Sequence, residues 1–289
     1  MTPDWREALG AAHTADGLQL DGLLIQPPDC LGKPALVWVH GFGANFYHPA
    51  YRKLGAAVAE LGYAVVIGNT RGHDFGALLE PEGRAPYFAG AAWERLEDSH
   101  FDLAAWIDFA IGSGFAGVVL AGHSLGAVKV TAYQAQQQDA RVRGLVLASP
   151  PLRPAWNTRA FPAQLAQAQQ MAANGQAETI FAGPWGPVSA QTFLSLHQFG
   201  FDQFDGEQGA TNLALIRCPL LVVIGTNETH IATRADLEII RRNAAGAARL
   251  ETHVVEGADH FYTQHEAKVG AIVAQWMESL AGTVVGVIN

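Results

Sequence analysis

The sequence predicts an α/β protein whose mostly parallel sheet is covered by helices on both faces. Apolar, β-branched runs alternate with segments of helical periodicity along most of the chain, which is the order typical of parallel sheets with crossover helices. The runs are continuous rather than alternating with polar residues, as in strands buried on both faces. Near the N-terminus, two further strand-like runs flank Asp16-Gly17, a dipeptide that favours a tight turn. This hairpin adds an antiparallel edge to the predicted sheet.

Eight strands and five helices are predicted in chain order. The strand-like runs cover residues 7–15, 18–27, 35–40, 63–69, 117–123, 142–149, 218–225 and 249–257. The helical segments cover residues 49–62, 99–110, 125–137, 233–244 and 265–280. After the hairpin, every strand except the sixth is followed by a helix, and such crossovers join parallel strands.

Residues 150–211 interrupt this alternation. An interval of some sixty residues without a sheet strand is too long for a plain connection in a compact domain. We therefore predict a helical cap at 150–211, inserted after the sixth strand of a core formed by 1–149 and 212–289. Its aromatic residues include Trp156, Phe161, Trp185, Phe193, Phe199 and Phe201. These side chains either line a pocket or attach the cap to the core, and the sequence favours neither alternative.

Charge and composition exclude several function classes. The chain has 27 acidic and 18 basic residues and no Lys/Arg run, so it would repel nucleic acid and anionic membrane surfaces. The N-terminus has no basic start or apolar core, and no apolar run approaches the ~18 residues of a membrane span, so we expect a cytoplasmic location. Cys30 and Cys218 are predicted to be free thiols. Without a Walker-type loop, a dinucleotide fingerprint or paired metal-binding histidines, neither a cofactor nor a metal is expected.

Gly122-His123-Ser124-Leu125-Gly126 lies where a predicted strand becomes a helix. In this setting the pattern is typical of a nucleophilic serine on a sharp turn, with glycines that permit the turn and close packing of the helix. The N-terminus of the helix also favours negative charge near the site. We therefore predict that Ser124 is a nucleophile rather than a structural turn residue.

His40-Gly41-Phe42-Gly43 follows another predicted strand. The tetrahedral intermediate of acyl transfer carries an oxyanion that needs two preset N–H donors. The backbone N–H groups of Phe42 and of Leu125, the residue after Ser124, are predicted to form this oxyanion hole. We expect His40 to brace the loop rather than to act as a base.

A serine nucleophile needs a general base that is itself oriented by a third group. The loop after the last predicted strand supplies His260 as this base. His265, at the start of the final helix, and His253, within the last strand, each have a readier structural explanation. Asp259 cannot orient His260 because adjacent side chains diverge, so we expect Asp259 to serve the loop.

Together these motifs resemble the α/β-hydrolase fold across essentially the whole chain. They are a strand followed by HGFG, a strand-GHSLG-helix unit, a cap after the sixth strand and a late Gly-x-Asp-His. The resemblance implies a triad in the order serine, acid, histidine, with the acid three residues after the glycine that ends the seventh strand. Glu228 stands at that position, whereas the alternative acid position reads LASPP and offers no carboxylate. Asp236 and Glu238 fall within the next predicted helix, where we expect them to face solvent or cap it.

The resemblance implies a cofactor-independent serine hydrolase that cleaves a small-molecule carboxylic ester or lactone through an acyl-enzyme. The runs GNTRGHDFG, AAWERLEDSHFDLAAWIDFA and GHSLGAVKV look most like esterases related to the siderophore ester hydrolases, with macrolide esterases as a second group of relatives. Within the fold, the alternatives are an acyltransferase, a C–C hydrolase or a perhydrolase that uses the same triad. The alternative from another class is a non-catalytic small-molecule receptor.

Further residues are singled out around the predicted site. Those predicted to contact substrate are His73, His123, Trp156, Trp185 and Phe199. Arg71 is expected to tie neighbouring loops together, and Asp74 is another candidate for substrate contact. Asp98 and Asp102 are expected to lie at the start and on the surface of the following helix.

Overall fold

The structure, a computed structural model, describes residues 4–153, 158–199, 203–205 and 211–281. Its strands are β1 Arg6–His13, β2 Gln19–Gln26, β3 Ala35–Val39, β4 Val65–Gly68, β5 Ala77–Leu79, β6 Tyr87–Ala89, β7 Val118–His123, β8 Val142–Ala148, β9 Ile180–Gly183, β10 Gly186–Ser189, β11 Leu220–Gly225 and β12 Leu250–Val255. Its α-helices are α1 Pro49–Ala59, α2 Ser99–Gly112, α3 Leu125–Gln137, α4 Pro162–Ala173, α5 Ala190–Phe199, α6 Leu237–Asn243 and α7 Glu266–Ala281.

Eight strands form one sheet in the order β1-β2-β4-β3-β7-β8-β11-β12. β1 pairs with β2 and β2 pairs with β4 in antiparallel register, and every other neighbouring pair is parallel. The predicted eight-stranded, mostly parallel sheet with an antiparallel edge is confirmed. Because the parallel strands end at one edge of the sheet, the loops after β3, β4, β7, β8, β11 and β12 lie along that edge.

Each face of the sheet carries its own hydrophobic core. Val37 and Val39 of β3 belong to the core that contains Trp106 of α2. Leu36 and Trp38 belong to the opposite core, which includes residues of α1 and α7. Successive side chains of a strand point to opposite faces, so every residue of such a strand is buried only when both faces are covered. This arrangement explains the uninterrupted apolar runs in the sequence.

The segment between β8 and β11 contains α4, the antiparallel hairpin β9–β10 and α5. In the described part of the segment, none of these elements pairs with the main sheet. Phe181, Val188 and Phe193 form a separate buried cluster with neighbouring alanines, and Phe42 packs against both this cluster and the main core. The span predicted as a helical cap therefore includes a hairpin that the sequence pattern did not predict.

Arg71 joins three segments of the chain near a second unpredicted hairpin, β5–β6. Its guanidinium donates to Asp102 of α2 at 2.8 Å and to Asp16 in the β1–β2 turn at 2.9 Å. The prediction that Asp102 is a helix-surface residue is wrong, because this side chain is fully buried (0% exposed). A buried carboxylate needs a paired cation, and Arg71 supplies it.

Local differences from the predicted elements are small. Cys30 and Cys218 are free thiols, as predicted. α6 begins at Leu237, later than predicted, because the N–H and hydroxyl of Thr233 both donate to Asp236 at 2.7 Å and form a turn before the helix. Among the helices of the described segments, none is both long and apolar enough to cross a membrane.

Candidate active site

Ser124 lies at a sharp turn between β7 and α3. Its backbone has φ 54° and ψ −119°, a left-handed conformation that is strained for a residue with a side chain. The Ser124 N–H donates to the carbonyl of Ala148 at 2.9 Å, which ties the turn to the end of β8. Gly122 is required by packing, since a Cβ there would lie 2.2 Å from the Gly126 carbonyl oxygen. The turn leaves the serine partly exposed between buried neighbours.

Glu228 and His260 are joined across the loops that follow β11 and β12. Glu228 Oε2 lies 2.9 Å from His260 Nδ1, and the Glu228 side chain is completely buried. The other carboxylate oxygen, Oε1, accepts from the Ser149 hydroxyl at 2.8 Å and from the Gly225 backbone N–H. Because Nδ1 of His260 is engaged with the carboxylate, Nε2 is the ring nitrogen that can exchange a proton with a reacting group.

The HGFG loop packs directly against the serine turn. A Cβ at Gly41 would lie 2.9 Å from Ser124 Cβ, so only glycine permits this approach. The Ala44 N–H donates to the Gly41 carbonyl at 3.2 Å and closes a turn around Phe42. Leu125 is the first residue of α3, and N–H groups in a first helical turn have no partner within the helix. The two predicted oxyanion donors therefore lie on segments that meet at Ser124.

His40 is completely buried beneath this loop. Its Nδ1–H donates to the Gly41 carbonyl at 2.8 Å, and its Nε2 accepts from the Thr70 N–H at 3.0 Å. Burial, followed by the positive charge of Lys129, lowers the pKa of His40 to about 3. A neutral, fully bonded imidazole agrees with the expected bracing role.

His123, the last residue of β7, connects α1 to the loop that carries His260. Its Nε2–H donates to the His260 carbonyl at 2.7 Å, and its Nδ1 accepts from the Tyr51 hydroxyl at 2.9 Å. The Tyr51 oxygen in turn accepts from the Gly41 N–H at 3.3 Å. Burial, followed by the charge of His260, holds the pKa of His123 well below its usual value. The predicted substrate contact does not fit this position, because His123 is 1% exposed and both ring nitrogens have protein partners.

The remaining predicted contact residues lie around the site. His73 Nδ1 lies 2.8 Å from Asp74, whose carboxylate also accepts from Asn45 at 2.7 Å and from Tyr47 at 2.9 Å. These bonds secure the loop after β4. In the inserted segment, Trp185 and Phe199 are both partly buried. Trp156 lies outside the described residues.

Several contributors to the site were not identified from the sequence. Ser149 stands at the position after β8 where no carboxylate was found, and it supports Glu228 instead. Tyr51 lies within an ordinary amphipathic helix, so nothing in its sequence context signals its bond to His123.

Asp259 accepts from the N–H groups of Phe261 and Thr263 at 3.1 and 2.8 Å, which is the predicted loop role. Within the described segments, no cluster of three or more His, Cys, Asp or Glu side chains is arranged to hold a metal ion.

Comparisons with known proteins agree with this architecture. A comparison with curated protein sequences gives no significant match. Among solved structures, the chain is similar to Est1E from Butyrivibrio proteoclasticus bound to ferulic acid, with 16% identity and a TM-score of 0.65 over 95% of this chain and 100% of that chain. It is also similar to the alpha/beta hydrolase GrgF from Penicillium sp. sh18, with 15% identity and a TM-score of 0.71 over 96% and 98% of the two chains.

A third similar structure is the Pyrococcus furiosus esterase Pf2001, with 17% identity and a TM-score of 0.57 over 94% of each chain. At these identities the likeness supports a shared fold alone. The model of the alpha/beta hydrolase family matches residues 36–272, which is more than half of the chain. The chain therefore belongs to the alpha/beta hydrolase family.

Proposed function

We propose that this protein is a cofactor-independent serine esterase that cleaves a carboxylic ester or lactone through an acyl-enzyme. Ser124 is the nucleophile, His260 the general base and Glu228 the group that orients the base. The observation that carries the proposal is the 2.9 Å contact between Glu228 and His260 Nδ1, with the carboxylate fully buried. A buried carboxylate that holds one imidazole nitrogen selects the tautomer whose other nitrogen accepts a proton.

The proposed reaction uses these groups in turn. His260 Nε2 takes the proton of the Ser124 hydroxyl as the oxygen attacks the ester carbonyl carbon. The carbonyl oxygen becomes an oxyanion that accepts hydrogen bonds from the Phe42 and Leu125 N–H groups. Collapse of this intermediate breaks the bond to the alcohol oxygen, which leaves with the proton from His260. Water then repeats the sequence on the acyl-enzyme and releases the acid.

We propose further that the substrate carries a bulky or cyclic part, as in macrolide or siderophore esters. This proposal is supported by the aromatic side chains of the inserted segment, since Trp185 lies 5.7 Å from Phe161 and 6.2 Å from Phe193 between ring centroids. Binding energy from a remote part of the substrate can be used at the reacting carbonyl.

The function is tested with a fluorophosphonate probe and p-nitrophenyl acetate. The wild type should label covalently and release p-nitrophenol, whereas Ser124→Ala should do neither, since loss of the triad serine lowers kcat by a factor of about 10⁶ in subtilisin. Ser113→Ala is the matched control, because among the described residues the Ser113 hydroxyl bonds to the Phe109 carbonyl alone. A wild type that does not label would favour a receptor, and hydrolysis by Ser124→Ala would reject this mechanism. Cyclic siderophores and macrolides, compared with short esters, then test the substrate class.

A further inference from the structure

A buried ion pair lies near the HGFG loop and outside the proposed triad. Lys129 of α3 and Glu94, from the segment between β6 and α2, are joined in a salt bridge, with side chains 1% and 3% exposed. Burying two charges costs several kcal/mol per ion unless further hydrogen bonds satisfy them. Lys129 has such a further hydrogen bond, to the hydroxyl of Thr70.

That partner leads directly to the HGFG loop. Lys129 Nζ donates to Thr70 Oγ1 at 3.0 Å, and Thr70 Oγ1 lies 3.1 Å from His40 Nε2. The Thr70 N–H also donates to His40 Nε2, and His40 Nδ1–H donates to the Gly41 carbonyl. With Lys129 as the first donor, the Thr70 hydroxyl accepts from Lys129 and donates to His40 Nε2, and the neutral imidazole accepts at Nε2 and donates from Nδ1–H. The chain of hydrogen bonds therefore has one direction, from the ammonium group to the Gly41 oxygen.

The Gly41 carbonyl and the Phe42 N–H belong to the same planar peptide group. Fixing the direction of the carbonyl therefore fixes the direction of the N–H, which points the opposite way. The Gly41 oxygen accepts both from His40 Nδ1 at 2.8 Å and from the Ala44 N–H at 3.2 Å. These two bonds determine where the Phe42 N–H points.

We propose that the Lys129–Glu94 pair, acting through Thr70 and His40, holds the Gly41–Phe42 peptide in the orientation that presents the Phe42 N–H to the oxyanion. Lys129, Glu94 and Thr70 are thus positioning residues for the proposed esterase, and the inference rests on that proposed function. The positive charge of Lys129 has a second effect, since after burial it is the main cause that lowers the pKa of His40. A neutral His40 keeps Nε2 as an acceptor and the chain of bonds intact.

The test removes the middle of the chain without changing its charge. Thr70→Val should lower kcat on p-nitrophenyl acetate about tenfold with KM nearly unchanged, since a misdirected oxyanion donor weakens only the transition state. It should weaken inhibition by phenethyl trifluoromethyl ketone, which forms a tetrahedral adduct on the serine, by a similar factor. Thr70→Ser should restore both values. Thr131→Val is the matched control, because this fully buried hydroxyl on α3 bonds to the Ala127 carbonyl and to no other group in the described part of the chain.

The ion pair is tested by the double variant Glu94→Gln/Lys129→Met, which removes both charges together. It should lose activity to the same extent as Thr70→Val, and combining all three substitutions should cause little further loss, because residues in one chain of bonds are not additive. The inference fails if Thr70→Val acts like Thr131→Val, if Thr70→Ser does not restore activity, or if the two sets of substitutions are independent.

A measurement that does not need turnover separates this inference from the proposed function. Amide hydrogen exchange at Ala44, whose N–H donates to the Gly41 carbonyl, should be faster in Thr70→Val and unchanged in Thr131→Val. If the wild type cleaves no ester but exchange responds in this way, the proposed function fails and the loop-positioning role stands. If exchange at Ala44 is the same in both variants, the positioning role is wrong.

Discussion

Glu228 shows how one side chain is adapted to its position. Glutamate has one more methylene than aspartate, and here the two carboxylate oxygens are used separately. Oε2 contacts His260, while Oε1 accepts from Ser149 and Gly225. The donors on Oε1 fix the rotation of the carboxylate, which in turn sets the orientation of the imidazole.

Glu228→Gln is expected to keep the fold but lower kcat by a factor of about 10² to 10⁴, because the amide neither stabilises the imidazolium nor selects the required tautomer. The kcat of Glu228→Asp should lie between the values of wild type and Glu228→Gln, since the shorter side chain cannot reach Ser149 and His260 together. Ester hydrolysis measures both variants. Glu256→Gln, an exposed carboxylate that pairs with Arg234, is the control. Activity of Glu228→Gln within a factor of about three of wild type would mean that the acid lies elsewhere.

At the candidate site, the residues of the proposed triad follow strand ends and could be predicted from the sequence, whereas the side chains that contact them could not. Ser124, His260 and Glu228 each stand in a loop directly after an apolar run, so a local pattern marks them. Tyr51 contacts His123, which lies 72 positions away in the sequence, and Ser149 contacts Glu228, which lies 79 positions away. No periodicity encodes such contacts. The same reason applies to Asp102, whose position in the helical pattern predicts exposure although the side chain is buried against Arg71.

Among the secondary-structure elements, the long buried strands and helices were predictable because each carries its own hydrophobic pattern. The hairpins β5–β6 and β9–β10 were missed because their strands have only three or four residues. Such short strands show no clear alternation. α2 depends on a tertiary contact as well as on its pattern, since Arg71 links it to the β1–β2 turn through Asp102 and Asp16.

Asp102→Asn should lower the free energy of unfolding by about 3 kcal/mol, because it leaves the buried Arg71 guanidinium without its main counter-charge. Guanidinium chloride denaturation measures this as a lower midpoint with an unchanged slope. The matched control is Asp108→Asn on the same helix, where an exposed pair with Arg141 should contribute less than about 1 kcal/mol. Equal effects of the two substitutions would contradict a structural role for the buried pair.

The inserted segment between β8 and β11 is the element expected to set substrate preference. Trp185→Ala should lower kcat/KM for long or cyclic esters about tenfold while changing p-nitrophenyl acetate turnover by less than about threefold, because remote binding energy is lost and the triad stays assembled. Phe88→Ala, an exposed aromatic residue on β6 outside the insertion, serves as the control. Equal losses on all esters would mean that the insertion only supports the core.

At the scale of the whole molecule, the sheet brings distant loops together and buries the groups that connect them. His40 directly follows β3, and His123 is the last residue of β7. Each of them bonds to the backbone of a neighbouring loop. Both are fully enclosed, and burial is the main cause of the lowered pKa of each. The geometry of the candidate site and the response of stability to acid are therefore both expected to depend on these two neutral side chains.

The free energy of unfolding should therefore decrease as the pH falls below about 6.5. A histidine with a folded pKa of about 3, as for His40, binds a proton in the unfolded chain but not in the folded one between these two values. Unfolding therefore takes up protons, and the unfolding free energy falls as pH decreases, by up to about 1.4 kcal/mol per pH unit for each such group. Carboxylates with lowered pKa values, such as Asp16 and Asp74, act mainly below pH ~4, whereas burial raises the pKa of Asp98 and Asp102. A histidine variant is therefore needed to separate the contribution of His40 between pH 7 and 5.

His40→Gln isolates this contribution, because glutamine stays neutral and can still donate to the Gly41 carbonyl. When the free energy of unfolding is measured with urea at pH 7, 6 and 5, its decrease per pH unit should be smaller in this variant than in wild type by about 1 kcal/mol. His13→Gln, at an exposed position on β1, should leave the slope unchanged. If His40→Gln and wild type lose stability in parallel as pH falls, His40 does not remain neutral in the folded protein, and the chain of hydrogen bonds that ends at Gly41 would need a different acceptor.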